Sequence, residues 1–279
     1  MPFTPGFDPS VATELCKSLN ATCTWVPVYS FDGRIAAVMN GSADFSISII
    51  SVTPERQLVV DFVYPLYYSA GVELFAPNGT IDASAGWDAL VGKSVCVQSG
   101  YYAIDYLTSM GIKTVIISSD MSETDAEGVV SQNIANGTCV GIINDNTASN
   151  SLGFPNTQLV PIDVAPYGIA VGKGKTDLLN ALSAASVQMM NKGNESLLFK
   201  LQDQWIVPNG VPVNPSLPAV VDAISTFASS SGTTPSASPS PSTPSAPASS
   251  ASAAFDLKTV LLGVVVSLLA TGAAAATAA

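Results

Sequence analysis

The sequence predicts an α/β fold, and three observations carry that expectation. Short helical patterns alternate with short strand patterns, the alternation restarts after Trp87 as a second α/β unit, and 279 residues that are 47% hydrophobic can fill two packed units. The folded part is expected over 1–208.

Asp8 can cap a helix that starts on Pro9 and carries Val11, Ala12, Leu15, Cys16 and Leu19 along one face. A strand is expected over 22–28, a helix over 32–39, a strand over 45–50, a short turn of helix at Pro54 and a strand over 72–76. The second unit reads as strand 94–97, helix 102–110, strand 114–118, helix 123–135 and strand 140–143. Helices over 177–190 and 195–205 close the folded part.

Charge and composition exclude several functions. The chain has no histidine, which removes Ser-His-Asp and Cys-His nucleophiles, His-ligated metals and an imidazole acid or base near pH 7. With 10 Lys and Arg against 21 Asp and Glu, the net charge of -11 repels phosphate backbones, so nucleic acid is not an expected partner.

The C-terminal quarter has a different character. Residues 208–254 form a linker, and from Ser229 to Ala254 it is almost wholly Ser, Thr, Pro, Ala and Gly, the composition of an extended, O-glycosylated stalk. Residues 259–279 carry no charge and could cross a hydrocarbon core of about 30 Å. Small residues at Ser249, Ser250 and Ala251, a polar spacer with Asp256 and Lys258, and the apolar tail match the signal for a glycosylphosphatidylinositol (GPI) anchor; a single-pass membrane anchor is the open alternative. Sequons at Asn20, Asn40, Asn78, Asn136 and Asn194 fit a secretory glycoprotein. No basic, then apolar, leader opens the chain, so an incomplete N-terminus is expected.

Four cysteines, Cys16, Cys23, Cys96 and Cys139, make an even count that reads as disulfides in an oxidising compartment, with three pairings open. Zinc is the poorer reading, since four dispersed ligands include no Cys-x-x-Cys and no His.

Several short motifs occur in order along the first three quarters of the chain. They are Gly6-Phe7-Asp8, Cys16-Lys17, Cys23-Thr24-Trp25-Val26, Phe31-Asp32-Gly33, Ser51-Val52-Thr53-Pro54-Glu55-Arg56-Gln57, Asp61-Phe62 with Tyr67-Tyr68, and Gly92-Lys93-Ser94-Val95 through Gln98-Ser99-Gly100. Tyr167-Gly168-Ile169-Ala170-Val171 and Lys192-Gly193 through Trp205 continue them. Together they resemble the family 3 extracellular solute-binding proteins, periplasmic amino-acid-binding proteins that share a fold with ionotropic glutamate receptor ligand-binding domains. The resemblance implies a type II two-lobed clamshell, with lobe 1 from 1–69 and 172–207, lobe 2 from 70–171, and two hinge crossovers. It also implies pairings Cys16–Cys23 and Cys96–Cys139, each inside one lobe. The family's first strand would precede Met1 and is absent, so two strand edges in lobe 1 are expected to stand open.

The resemblance implies roles for single residues as well. Arg56 falls on the carboxylate-binding arginine, Ser51 on a ligand-contacting position, Asp145 on the acid that holds the ligand's ammonium, and Phe31 on an aromatic that covers the ligand. From the residues alone, Arg56 could instead pair with Glu55 or Asp61, Asp145 could cap a helix, and Phe31 could be core. Tyr101 stands where the family has a small hydroxyl residue, and Ile49 where some relatives are polar or have proline; both bear on ligand identity. Arg34 replaces a usually apolar residue and is expected at the surface.

The resulting expectation is an extracellular binding protein and not an enzyme. It takes a small polar solute, an amino acid or related carboxylate, for uptake or sensing, needs no cofactor and no metal, and is held to a membrane by its tail. A dehydratase working through Asp145 and Tyr101, or a degenerate clamshell that binds nothing, are the alternatives from other classes.

Overall fold

A computed structural model describes residues 6–28, 30–147, 150–157, 159–206 and 261–266. The linker 208–254 and the remainder of 259–279 lie outside the described residues. The chain runs α1 (Phe7–Ser18), β1 (Thr22–Pro27), α2 (Phe31–Met39), β2 (Phe45–Ser46), α3 (Pro54–Val59), β3 (Val60–Phe75), a 3-10 segment (Ala83–Leu90), β4 (Ser94–Gln98), α4 (Ile104–Ser109), β5 (Lys113–Ile117) and α5 (Glu123–Ala135). It continues as β6 (Ile142–Asp145), a hairpin of β7 (Asn150–Ser151) and β8 (Phe154–Pro155), β9 (Ile162–Gly172), α6 (Thr176–Met190), a 3-10 turn (Gly193–Glu195), α7 (Leu197–Trp205) and β10 (Leu261–Val266).

Eight strands share one sheet in the order β1-β10-β2-β9-β3-β6-β4-β5. Its spine is the antiparallel pair β3 and β9, which runs from Val60 opposite Gly172 to Val72 opposite Ile162, with register shifts between Val63 and Tyr68 and between Ala70 and Val72. Apolar residues collect on either side of this irregular middle. Val11, Leu15, Phe45, Ile47, Leu182 and Leu198 pack together at one end, whereas Leu74, Val95, Val97, Leu107 and Ile112 pack at the other. Phe31 crosses the division: it belongs to α2 but packs in the second group, and half-buried Ile49 touches both.

Side-chain caps fix where the helices begin. Ser30 accepts from Gly33 N at the start of α2, Thr53 from Arg56 N at α3, Ser122 from Asp125 N at α5 and Ser196 from Phe199 N at α7. Asp8 is not such a cap. The first helix starts at Phe7, and Asp8 turns inward in its first turn. Strand β3 extends twelve residues upstream of the strand expected at 72–76, because its ladder steps out of register around Pro65 and resumes, and β9 was not foreseen. Strand β2 ends at Ser46, four residues short of the expected strand, because the chain turns away to build a loop.

The disulfides are Cys16–Cys23, tying α1 to β1, and Cys96–Cys139, tying β4 to the segment before β6. Position β10 was unforeseen too. Leu261–Val266 pairs in parallel with all of β1 and, through Val264 and Val265, with β2, so it occupies the gap where open edges were expected. No helix among the described residues is long and apolar enough to cross a membrane. Asn20, Asn40, Asn78 and Asn136 are exposed, and the side chain of Asn194 lies outside those described.

Candidate functional site

The loop that follows β2 turns because Ile49 adopts a φ of 44°, a left-handed conformation that a β-branched residue resists. Buried Asp8 holds it there. One carboxylate oxygen, Oδ2, accepts the Ile49 N–H at 2.7 Å, and Oδ1 accepts the Tyr67 hydroxyl at 3.0 Å. Desolvation pushes the Asp8 carboxyl up to about 6, opposed by those hydrogen bonds and by the Arg34 charge. The turn aims two carbonyls inward, and each receives an arginine.

Arg56 lies in the first turn of α3. Its Nη1 donates to Ser51 O at 2.8 Å and its Nη2 to Gly100 O at 3.2 Å, so one guanidinium joins the β2–α3 loop to the turn after β4. Burial lowers its pKa, countered by Asp32, Asp145 and Glu55. The alternative partner Asp61 is engaged by Lys173 at 2.7 Å. Close approach of the two segments depends on Gly100, whose φ is 78° and where a Cβ would lie 3.1 Å from Asp32 Oδ1 and 3.3 Å from Phe31 Cβ.

Arg34 is not at the surface, contrary to expectation. It is 2% exposed, Nη1 donates to Ser48 O at 2.9 Å, and its guanidinium carbon lies 4.4 Å from the centroid of the Phe31 ring. Burial pushes its pKa down to about 10, and the Asp8 and Asp145 charges oppose that while Arg56 adds to it. One arginine in the otherwise mostly apolar helix Phe31–Met39 was the available signal, and a charge on a helix is more often solvated than buried.

Asp145 ends β6 and is buried; the element after it is β7 and not a helix, so it caps nothing. The Tyr101 hydroxyl donates to Oδ1 at 2.7 Å and the Tyr167 hydroxyl donates to Oδ2. Desolvation raises the Asp145 pKa, while the two phenols and the two arginines pull it down. Tyr101 therefore spends its hydroxyl on the acid and stands 6.2 Å, centroid to centroid, from Phe31. Ser51 is buried, and it is its carbonyl that Arg56 uses.

All six residues singled out in the sequence, Phe31, Ile49, Ser51, Arg56, Tyr101 and Asp145, thus converge. Asp8, Arg34, Tyr67 and Tyr167 join them, missed as site residues although Asp8, Tyr67 and Tyr167 stand in quoted motifs. Two guanidiniums and two carboxylates in a mostly buried, aromatic setting can hold a solute that carries both signs of charge. Both disulfides are closed, and no group of three His, Cys, Asp or Glu among the described residues could hold a metal.

Comparison with known proteins places the fold in a family. The bacterial extracellular solute-binding proteins, family 3, match residues 4–208. The ABC transporter arginine-binding protein 1 of Escherichia coli is 27% identical over 209 residues, covering 72% of this chain and 81% of that protein. An ancestral arginine-binding protein bound to arginine superimposes with a TM-score of 0.57 at 26% identity, over 72% of this chain and 87% of that one. An ancestral amino-acid-binding protein, a precursor of cyclohexadienyl dehydratase, does so with a TM-score of 0.57 at 27% identity, over 72% and 84%.

Proposed function

Since the chain belongs to the bacterial extracellular solute-binding proteins, family 3, and has the two-lobed α/β fold of its solved neighbours, we propose that it captures a free amino acid or related carboxylate between its lobes. Arg56 grips the carboxylate, Asp145 the ammonium, Phe31 and Tyr101 wall the site, and Ser51 and Ile49 shape the loop beneath it. The observation that carries this reading is the Arg56 guanidinium, which donates to Ser51 O in the loop after β2 and to Gly100 O in the turn after β4, two segments that the lobe boundaries taken below assign to opposite lobes. A solute carboxylate that joins that fork favours the closed arrangement, which is how hinge closure couples to binding. Lobe 1 is taken as 1–69 with 172–207 and lobe 2 as 70–171.

The relatives matched are named as binding proteins and not enzymes, and the neighbour linked to a dehydratase is described as its amino-acid-binding precursor. The test is thermal stabilisation by a panel of amino acids, since a ligand that binds only the folded state raises the melting temperature with concentration. A rise for at least one amino acid is expected; none across the panel would favour a clamshell that binds nothing.

The family's setting is extracellular or periplasmic. For residues 259–279 we carry two mutually exclusive roles: completion of the sheet through β10, supported by its pairing with β1 and β2, and an anchor or anchor signal, supported by the lack of charge. Release of the protein from cells by a phosphatidylinositol-specific phospholipase would select the second.

A further inference from the structure

We propose that Arg34 sets the solute class: the cleft takes amino acids with an acidic side chain and rejects those with a cationic one. This rests on the assignment of Arg56 and Asp145 to the solute's α-carboxylate and α-ammonium. The chain has only two arginines, Arg34 and Arg56, and both feel Asp145 and each other. With Arg56 and Asp145 given to the groups every amino acid has, Arg34 and Asp8 are the buried charges left beside them to meet what differs between amino acids, while Asp32 and Glu55, which also act on Arg56, are exposed.

Both oxygens of Asp8 already accept hydrogen bonds, from Ile49 N and from the Tyr67 hydroxyl, so that carboxylate is held in structural service. Arg34 lies over the Phe31 ring at 4.4 Å and donates to the Ser48 carbonyl at 2.9 Å. An aromatic face and a backbone carbonyl are the groups that would receive a cationic side chain. Here the protein's own guanidinium occupies both. A solute ammonium or guanidinium would arrive beside a like charge in a buried setting, where repulsion is poorly screened, while a solute carboxylate would meet a planar fork suited to it.

Isothermal titration of the full chain with L-glutamate, L-aspartate, L-glutamine, L-arginine and L-lysine tests this. The expected result is that glutamate or aspartate binds at least about tenfold more tightly than glutamine and about a hundredfold more tightly than arginine or lysine. In Arg34→Leu the acidic amino acid should weaken at least about tenfold, with the preference over arginine and lysine lost. Arginine or lysine bound by the wild type as tightly as glutamate would overturn the assignment, as would an unchanged preference in Arg34→Leu. Tightest binding of glutamine would overturn it too while leaving amino-acid capture standing, and the absence of binding by any of the five would bring down both. If Arg34→Leu does not fold, the wild-type order alone decides.

Discussion

Asp8 and Ile49, 41 residues apart, are joined by a 2.7 Å hydrogen bond from a backbone N–H to a buried carboxylate. That bond fixes the left-handed turn from which Ser48 and Ser51 present their carbonyls to Arg34 and Arg56. Asp8→Ala would leave the Ile49 N–H and the Tyr67 hydroxyl without this acceptor and remove the carboxylate that faces Arg34. The expected loss is roughly 3–5 kcal/mol, as for breaking a buried charged pair. Urea unfolding measures it, and a loss below about 1 kcal/mol would mean the turn is held by other means.

Glu73 gives the protein a pH dependence of unusual sign. It is 2% exposed, its Oε1 accepts Leu74 N at 3.2 Å and Leu159 N at 3.0 Å, and desolvation pushes its pKa from 4.5 up to about 7. The folded state keeps a proton that the unfolded chain gives up, so stability falls as pH rises from about 4.5 to about 7. Asp8, raised from 3.8 to about 6, acts in the same direction, and no histidine exists to oppose them. Glu73→Gln keeps an oxygen for both N–H groups and should flatten the slope. Denaturant melts at pH 5 and pH 7 check it; stability that rises over this window would refute the assignment.

Much of this was legible before the structure. Pro54 marked the short turn of helix that carries Arg56, and α5 lies at Glu123–Ala135 as expected, because a helix-starting proline and periodicity are local properties. Arg34 was misplaced because its burial depends on Ser48 and Asp8, residues distant in sequence that only the fold brings to it. Tyr167 went unnoticed because nothing local tells a strand tyrosine in the core from one whose hydroxyl serves a buried acid. The length of β3 was hidden by Pro65, which reads as an end of a strand, whereas the ladder with β9 shifts register there and continues.

Strand β10 makes a separate prediction. It is the strand β1 pairs with, so a chain ending at residue 209 leaves β1 without a neighbour and opens one edge of β2. Open edges of this kind promote association. That shorter chain should lose its cooperative melt or self-associate, as read by light scattering beside circular dichroism. A monomer with a cooperative melt would show that the sheet does not need residues 261–266.

Titration calorimetry of the wild type, Arg56→Ala and Arg56→Lys with the tightest amino acid of the panel tests the central claim most directly, that Arg56 grips the solute's carboxylate between the lobes. Losing the partner of a buried carboxylate costs roughly 3–5 kcal/mol, and tenfold in affinity corresponds to about 1.4 kcal/mol, so Arg56→Ala should bind at least about a hundredfold more weakly. Arg56→Lys should fail substantially as well, because an ammonium lacks the two-pronged geometry. Without solute, the melting temperature of Arg56→Ala should drop by only about 2–4 °C, the effect of losing roughly 1 kcal/mol of hydrogen bonding. Unchanged affinity in Arg56→Ala would contradict the account and leave Arg56 as a structural tie between Ser51 and Gly100.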